Sequence, residues 1–316
     1  MKRLTFLLIL LLLLVGCSKD NNENKQLSVV VPSGAPALAF YNELDNSNFN
    51  TGDAQSILPE LKSENGSDVI VIDTVSGIKA LNAGAKYKLA ATITFGNFYI
   101  ASTGNDDNGV MDDGDYIVLF SQGATPDLLF HHIYGDALDS NLHYVSAVAD
   151  ASACLIKGIN ISDEDRKVDE QPYVEYVLIA QPALSVALTK NENIKVYADI
   201  QDEYYKSSGG LQMIQASVFV SDRLTDTQIN EYLNGLENTI NDLINDPNLF
   251  AQGVSELSDD EIKDIFGVAN SKIAVTVLKN NSIGLGYRKA IDNKQAIDSY
   301  LRLFNMEETN EEIYVK

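Results

Sequence analysis

The chain has 316 residues and carries 45 Asp and Glu against 23 Lys and Arg, a formal net charge of −22. Such acidity excludes nucleic acid as a partner, because phosphate binding needs basic surface. Two cysteines and three histidines, with no CxxC spacing and no Cys/His cluster, exclude a structural zinc site, and neither a metal nor a cofactor is expected.

Lys2 and Arg3 open the chain, apolar residues fill 4–15, and Gly16 and Cys17 follow. The apolar stretch is too short to span a bilayer, so residues 1–16 read as a signal peptide. Its end, "LVGC" at 14–17, resembles a bacterial lipobox. That resemblance implies cleavage before Cys17, a lipid on Cys17, and a mature protein held outside the cytoplasm on the bacterial cell membrane. Residues 17–26 then form a lipidated polar tether. With Cys17 acylated, Cys154 is the only thiol left and no internal disulfide is expected.

Four strand-to-helix units follow. Residues 27–31 turn through Pro32, Ser33, Gly34, Ala35 and Pro36; residues 68–72 turn through Asp73, Thr74, Val75 and Ser76. Residues 116–120 turn through Ser121, Gln122, Gly123, Ala124, Thr125 and Pro126; residues 176–179 turn through Ala180, Gln181 and Pro182. The strands are continuous apolar runs, the pattern of a parallel sheet covered on both faces. Strands alternating with helices give an α/β fold. Pro36, Pro126 and Pro182 stand where a helix begins, a position that tolerates a missing N–H, and Thr125 is the best-placed N-cap.

Residues 87–105 read as extended chain leaving one lobe, and 211–224 as extended chain coming back. The crossings fall near 100–110 and 210–216, so 27–105 with 215–316 make lobe I and 106–214 make lobe II. Helices close the chain: Ile229, Leu233, Leu236, Ile240, Leu243 and Ile244 hold one face, "SDDE" at 258–261 is a capping box, and "NKQAIDSYLRLF" is amphipathic. The charged run 161–170 reads as a solvated face. Open α/β sheets bind ligands beyond the carboxyl ends of their strands, so two inward-facing lobes line one cleft with these turns.

The order "VVVPSGAPALAF", "SDVIVIDTVSGIKAL", "AATITFGNFYI", "GDYIVLFSQGATPDLLF", "YVLIAQPALSVAL", behind a lipobox and ahead of a helical tail, resembles the solute-binding lipoproteins of ABC importers. The nearest branch is the nitrate/taurine/thiamine-precursor type. The resemblance implies a bilobed periplasmic-binding-protein-like fold of type II that captures a small-molecule ligand and delivers it to a permease and its ATPase. It implies a monomer without covalent chemistry. The implied ligand contacts are Ser33, Gly34, Ala35 and Pro36; Asp73, Thr74 and Ser76; Thr94, Phe95, Gly96 and Asn97; Ser121, Gln122, Gly123, Ala124 and Thr125; and Gln181 with Pro182. Glu175 and Gln181 stand where the branch commonly has aspartate and glutamate, so no particular ligand is inherited. A sensing or adhesive lipoprotein, and a pyrimidine-synthesis-type enzyme on the same fold, are the alternatives.

Those turns offer hydroxyls, amides and backbone N–H groups, with Asp73 as their only charge. A small anion held by helix N-termini and a flat heteroaromatic molecule fit them equally. Enzyme signals are thin. Thr74-Val75-Ser76-Gly77 lacks the first glycine of a nucleophile elbow. His131 and His132 are adjacent on a helix and face different ways. "GLGYRK" lacks the third glycine of a dinucleotide loop. The acidic loop 104–115 has glycine where a calcium loop needs its first carboxylate, and reads as a surface turn.

Overall fold

The computed structural model describes residues 26–105, 108–161 and 172–316. The signal segment, Cys17, the tether up to residue 25, two residues of the acidic loop and nearly all of the charged run at 161–170 lie outside the described residues. No helix among the described residues is long and apolar enough to cross a membrane.

Eleven strands among the described residues form two sheets. The first holds β1 (Val29–Pro32), β2 (Phe49–Gly52), β3 (Val69–Asp73), β4 (Tyr87–Thr94), β10 (Ala216–Ser221) and β11 (Leu285–Lys289). Its order is β11-β4-β10-β3-β1-β2. The second holds β5 (Phe98–Ser102), β6 (Ile117–Phe120), β7 (Leu142–Val145), β8 (Tyr176–Ala180) and β9 (Lys195–Asp199), in the order β7-β6-β8-β5-β9.

The two orders are the same plan. In each sheet the first strand of the half lies between its second and third, parallel to both. The next strand inward is antiparallel, and it is the one that has just arrived from the other sheet: β10 between β3 and β4, β5 between β8 and β9. The sheets are therefore mixed, where wholly parallel ones were expected. The fold is nonetheless the bilobed α/β type.

Side-chain alternation covers both faces of the first sheet. Val29, Val31, Val69, Val71, Val218 and Val220 pack toward the helical tail, while Val30, Ile70, Ile72 and Phe219 pack toward the opposite layer. Ten helices matter here. They are α1 (Thr74–Asn82), α2 (Thr125–Tyr134), α3 (Val148–Lys157), α4 (Ala183–Lys190), α5 (Ile200–Ser207), α6 (Asp226–Asn245), α7 (Asn248–Gly253), α8 (Asp259–Phe266), α9 (Ser271–Lys279) and α10 (Lys294–Arg302).

Helix α6 starts at a capping box formed by Thr225 and Gln228, and α8 at the one formed by Ser258 and Glu261. Ile229, Leu233, Leu236, Ile240 and Leu243 of α6 are buried, but Ile244 is 43% exposed. It lies about 60° off the centre of a stripe that repeats every 3.6 residues. Burying five such side chains contributes on the order of 10 kcal/mol, against about 1 kcal/mol from the cap, so packing places α6.

The chain leaves the first sheet at Thr94 and enters the second at Phe98. The crossing is thus 95–97 rather than the expected 100–110, and residues 98–102, expected with lobe I, pair in the second sheet. The apolar run through Phe95 and Phe98 hid the break; Gly96 and Asn97 mark it.

Gly96 has φ +123° and Gly284, ahead of β11, has φ +58°. Phe95 N donates to Gly284 O at 2.8 Å. A Cβ on Gly284 would stand 2.4 Å from Gly96 O, a backbone atom with no side chain to move. We expect Gly284→Ala to destabilise the protein by about 3 kcal/mol, combining left-handed strain with overpacking. Gly235 inside α6 has nothing within 4 Å of its added Cβ, so Gly235→Ala should stabilise by about 0.5–1 kcal/mol. Urea unfolding of both variants checks the pair of opposite signs.

Candidate functional site

The carboxyl ends of β1 and β3, the end of β4 and the start of β10 share one edge of the first sheet. The carboxyl ends of β6 and β8 and the start of β5 share one edge of the second. A three-residue crossing joins these two edges, so their turns meet.

The turn at 121–125 is the most open. Gln122, Gly123 and Ala124 are exposed, and Ser121 and Thr125 half-buried. Ser121 has φ +56° and Gly123 φ +74°. Ser121 N donates to Val145 O at 3.1 Å, and its hydroxyl to Ser146 O at 3.3 Å. Buried Asp127 holds the turn: Oδ2 accepts from Gly123 N at 2.7 Å, and Oδ1 accepts from Tyr144 Oη at 2.9 Å and lies 3.2 Å from His131 Nε2. The N-cap of α2 is Ala124 and makes no side-chain cap; Thr125 is the first helical residue instead of the expected cap. Its hydroxyl is not committed to capping. Sequence reasoning missed Asp127, although an acid in the first helical turn is a legible signal.

The turn at 94–97 is wholly buried and serves the crossing. Thr94 Oγ1 accepts from Ala216 N at 3.1 Å. Asn97 donates to Gln181 O at 3.0 Å, accepts from Gln181 N at 2.8 Å, and accepts from the Gln215 amide at 2.7 Å. The Gln201 amide lies 2.7 Å from Phe95 O and 3.2 Å from Gly96 O. Gln181 Oε1 accepts from Ser185 N and Oγ at 3.1 and 2.8 Å, tying the start of α4, next to Pro182. Thr74 is buried with its hydroxyl 2.6 Å from Ser217 Oγ. The Asn97, Gln181 and Gln215 set ties the two sheets together, and the Thr94 and Thr74 bonds lie within the first.

The turn at 33–36 follows β1, which pairs in parallel with β3, and so stands beside the Asp73 turn on the same edge. Ser33 Oγ donates to Asp264 O at 3.0 Å, and a Cβ on Gly267 would stand 2.8 Å from Gly34 Cα, so this turn rests on the end of α8. Ala35 is buried and Pro36 half-buried at the start of a 3-10 helix.

Asp73 and Thr125, one from each sheet, are linked by a residue from neither turn. Asp73 caps α1, accepting from Ser76 N at 2.8 Å; burial pushes its carboxyl up, against hydrogen bonds from Ser76 and the charge of Lys79. Tyr300 of α10 is fully buried, with its hydroxyl beside that of Thr125. Burial pushes its pKa well up, as do the charge of Asp73 and the nearby Tyr204, while the Thr125 hydroxyl acts the other way. The Tyr204 ring of α5 stands edge-on to Tyr300, centroids 6.0 Å apart, with His132 beyond it at 5.6 Å. Sequence reasoning missed Tyr300, since nothing local separates it from any aromatic on an amphipathic helix.

An open cavity of 1070 Å³ lies elsewhere, against Leu27, Asp68, Arg223 and Tyr232. Leu27 and Asp68 precede β1 and β3, and Arg223 follows β10, so this cavity is at the opposite edge of the first sheet.

Helix α10, which carries Tyr300, is pinned by Asp298. Its Oδ1 accepts from Thr309 N and Oγ1 at 2.9 and 2.7 Å, and its Oδ2 from Lys294 Nζ. Burial alone would raise this carboxyl, but the bonds from Lys294 and Thr309 outweigh it and hold the pKa below the usual 3.8. A depressed folded pKa gives stability that is complete above the unfolded value and is lost as pH falls through the folded one. Asp298→Asn should therefore cost about 2 kcal/mol at neutral pH, with the difference from wild type closing below pH 3.8. Urea midpoints of both proteins across pH 2–7 read this out.

No protein-family model matches the sequence, and no curated relative does. Solved structures do match in shape. An ABC transporter structure from Parabacteroides distasonis superposes with a TM-score of 0.67 at 21% identity, covering 89% of this chain and 92% of that one. The periplasmic aliphatic sulphonate binding protein SsuA from Escherichia coli gives 0.60 at 12%, covering 92% of each. The ligand binding component of an ABC-type import system from Staphylococcus aureus, solved with zinc bound, gives 0.59 at 12%, covering 92% and 97%. This chain has the bilobed α/β fold of these periplasmic binding proteins.

Proposed function

We propose that the protein is the extracytoplasmic substrate-binding lipoprotein of an ABC importer, a monomer that captures a small organic solute between its lobes and hands it to a permease. The observation that carries this reading is the repeated sheet order with its two ligand-competent edges joined by the crossing at 95–97. On this reading the protein acts by closing on its solute rather than by covalent chemistry. A solute resting on one lobe gains its second set of contacts only when the other lobe arrives, and that difference drives closure. The lipobox at 14–17 supplies the anchor through Cys17. Ser121 to Thr125 and Asp73 with Ser76 are the ligand-facing turns; Thr94 to Asn97 and Gln181 with Pro182 are the groups that set their separation.

Native mass spectrometry of the purified protein should show a discrete added mass that disappears on denaturation. Gly123 sits at φ +74°, so Gly123→Val should reshape its turn and weaken retention of that mass at least tenfold, with the fold intact by circular dichroism. Equal retention in the variant would place the cleft elsewhere. Cys17→Ala should abolish incorporation of labelled fatty acid and move the protein out of the membrane fraction.

A further inference from the structure

We propose that Gln215 receives the solute where the two lobes meet, and that the solute is a nitrogen cation, donating N–H groups, rather than an oxyanion. This deepens the receptor reading above and rests on it.

Gln215 stands between the two sheets. It precedes β10, whose first residue, Ala216, pairs with Asp73. Its backbone N donates to Thr94 O at 3.0 Å, and its backbone O accepts from Thr74 N at 3.0 Å. Its side-chain Nε2 donates to Asn97 Oδ1 at 2.7 Å, and Asn97 Nδ2 donates on to Gln181 O at 3.0 Å. That run of bonds fixes the Gln215 amide: Nε2 faces Asn97, and Oε1 is left on the other side. Oε1 is fully buried and accepts from no group among the described residues. A buried amide oxygen without a donor is costly, and one held open between two lobes is a place for a donor to arrive.

A second observation concerns the helix starts at the two edges. Oxyanions bind helix N-termini through free N–H groups and the positive end of the dipole. Here the protein's own oxygens already take that place. Asp73 Oδ1 accepts from Ser76 N at 2.8 Å at the start of α1. Asp127 Oδ2 accepts from Gly123 N at 2.7 Å ahead of α2, and Asp150 Oδ2 from Ala147 N at 3.1 Å at α3. Gln181 Oε1 accepts from Ser185 N at 3.1 Å at α4, and Asp199 Oδ1 from Gln201 N at 2.9 Å at α5. Four of these five oxygens belong to carboxylates, so the dipole ends are already matched by negative charge. The start at Ala35 has no side-chain cap, and a proline opens it.

An oxyanion would meet like charge at these edges, and no Lys or Arg stands in the turns to offset it. Arg288, beside the return crossing, is exposed on edge strand β11 and donates to Gln212 Oε1 at 2.9 Å. A cation gains from the same field. Its N–H groups match the acceptors on offer, the Gln215 amide oxygen and the Asp73 carboxylate, which lie on neighbouring strands at one sheet edge.

The test uses the purified protein, thermal unfolding and titration calorimetry at neutral pH. The probes are ethanolamine, putrescine and benzamidine as nitrogen cations, nitrate and methanesulfonate as oxyanions, and a dialysable small-molecule cell extract whose bound component is identified by mass. We expect a nitrogen cation, from the panel or the extract, to bind saturably, and no oxyanion to do so. Gln215→Glu keeps an acceptor and Gln215→Met removes it, while both lose the donor to Asn97. Their unliganded midpoints should therefore fall together, but only Gln215→Met should lose binding, at least tenfold. Equal binding by the two variants would overturn the role of Gln215. Asp73→Asn keeps an oxygen for Ser76 N and removes the charge, so it should weaken binding too; unchanged affinity would overturn the role of that charge. Saturable binding of an oxyanion, or of an extract component without a cationic nitrogen, would overturn the ligand class and leave the receptor reading standing. If neither panel nor extract shifts the midpoint, both readings fall.

Discussion

Three residues constrain the whole molecule. On the outward passage from the first sheet to the second the chain has only Phe95, Gly96 and Asn97, and all three are buried. So short a link forces the end of β4 and the start of β5 to lie side by side, and with them the carboxyl ends of the parallel strands in both sheets. Gly284 approaches the same link closely, backbone against backbone. The position of the cleft follows from chain connectivity before any ligand-binding side chain is considered.

That connectivity also decides which polar groups are available. Residues nearest the crossing bond to one another: Asn97 to Gln181 and Gln215, Thr94 to Ala216, Thr74 to Ser217. The Asn97 bonds tie the two sheets, while those of Thr94 and Thr74 stay within the first. Groups one turn further out keep open capacity, as with Thr125, which is spared from capping.

Much of this was legible in the sequence, for reasons that particular residues make plain. The strands around Val30, Ile70, Leu119 and Leu178 are apolar on both faces, and proline-led turns follow three of them, so the four units and the α/β class were readable. β2 and β7, "FNTG" and "LHYV", are short and partly polar, and local pattern does not reveal them. The antiparallel insertions of β5 and β10 are invisible to periodicity, because pairing direction is a property of topology. Among the site residues, glycines and hydroxyls advertised the turns, but their partners did not. Asp127 acts from inside a helix, and Tyr300 acts from about 175 residues beyond the threonine it faces.

The place of β10 has a consequence for how the chain is made. It lies between β3 and β4, and those two strands have no pairing with each other. During synthesis from the N-terminus, the first sheet therefore stays split until residue 221 is available, however long the preceding strands have existed. The nascent first lobe has no complete native state to fall into. The first lobe thus waits for about two-thirds of synthesis before β10 joins its two halves from the middle, and β11 then adds at the edge beside β4.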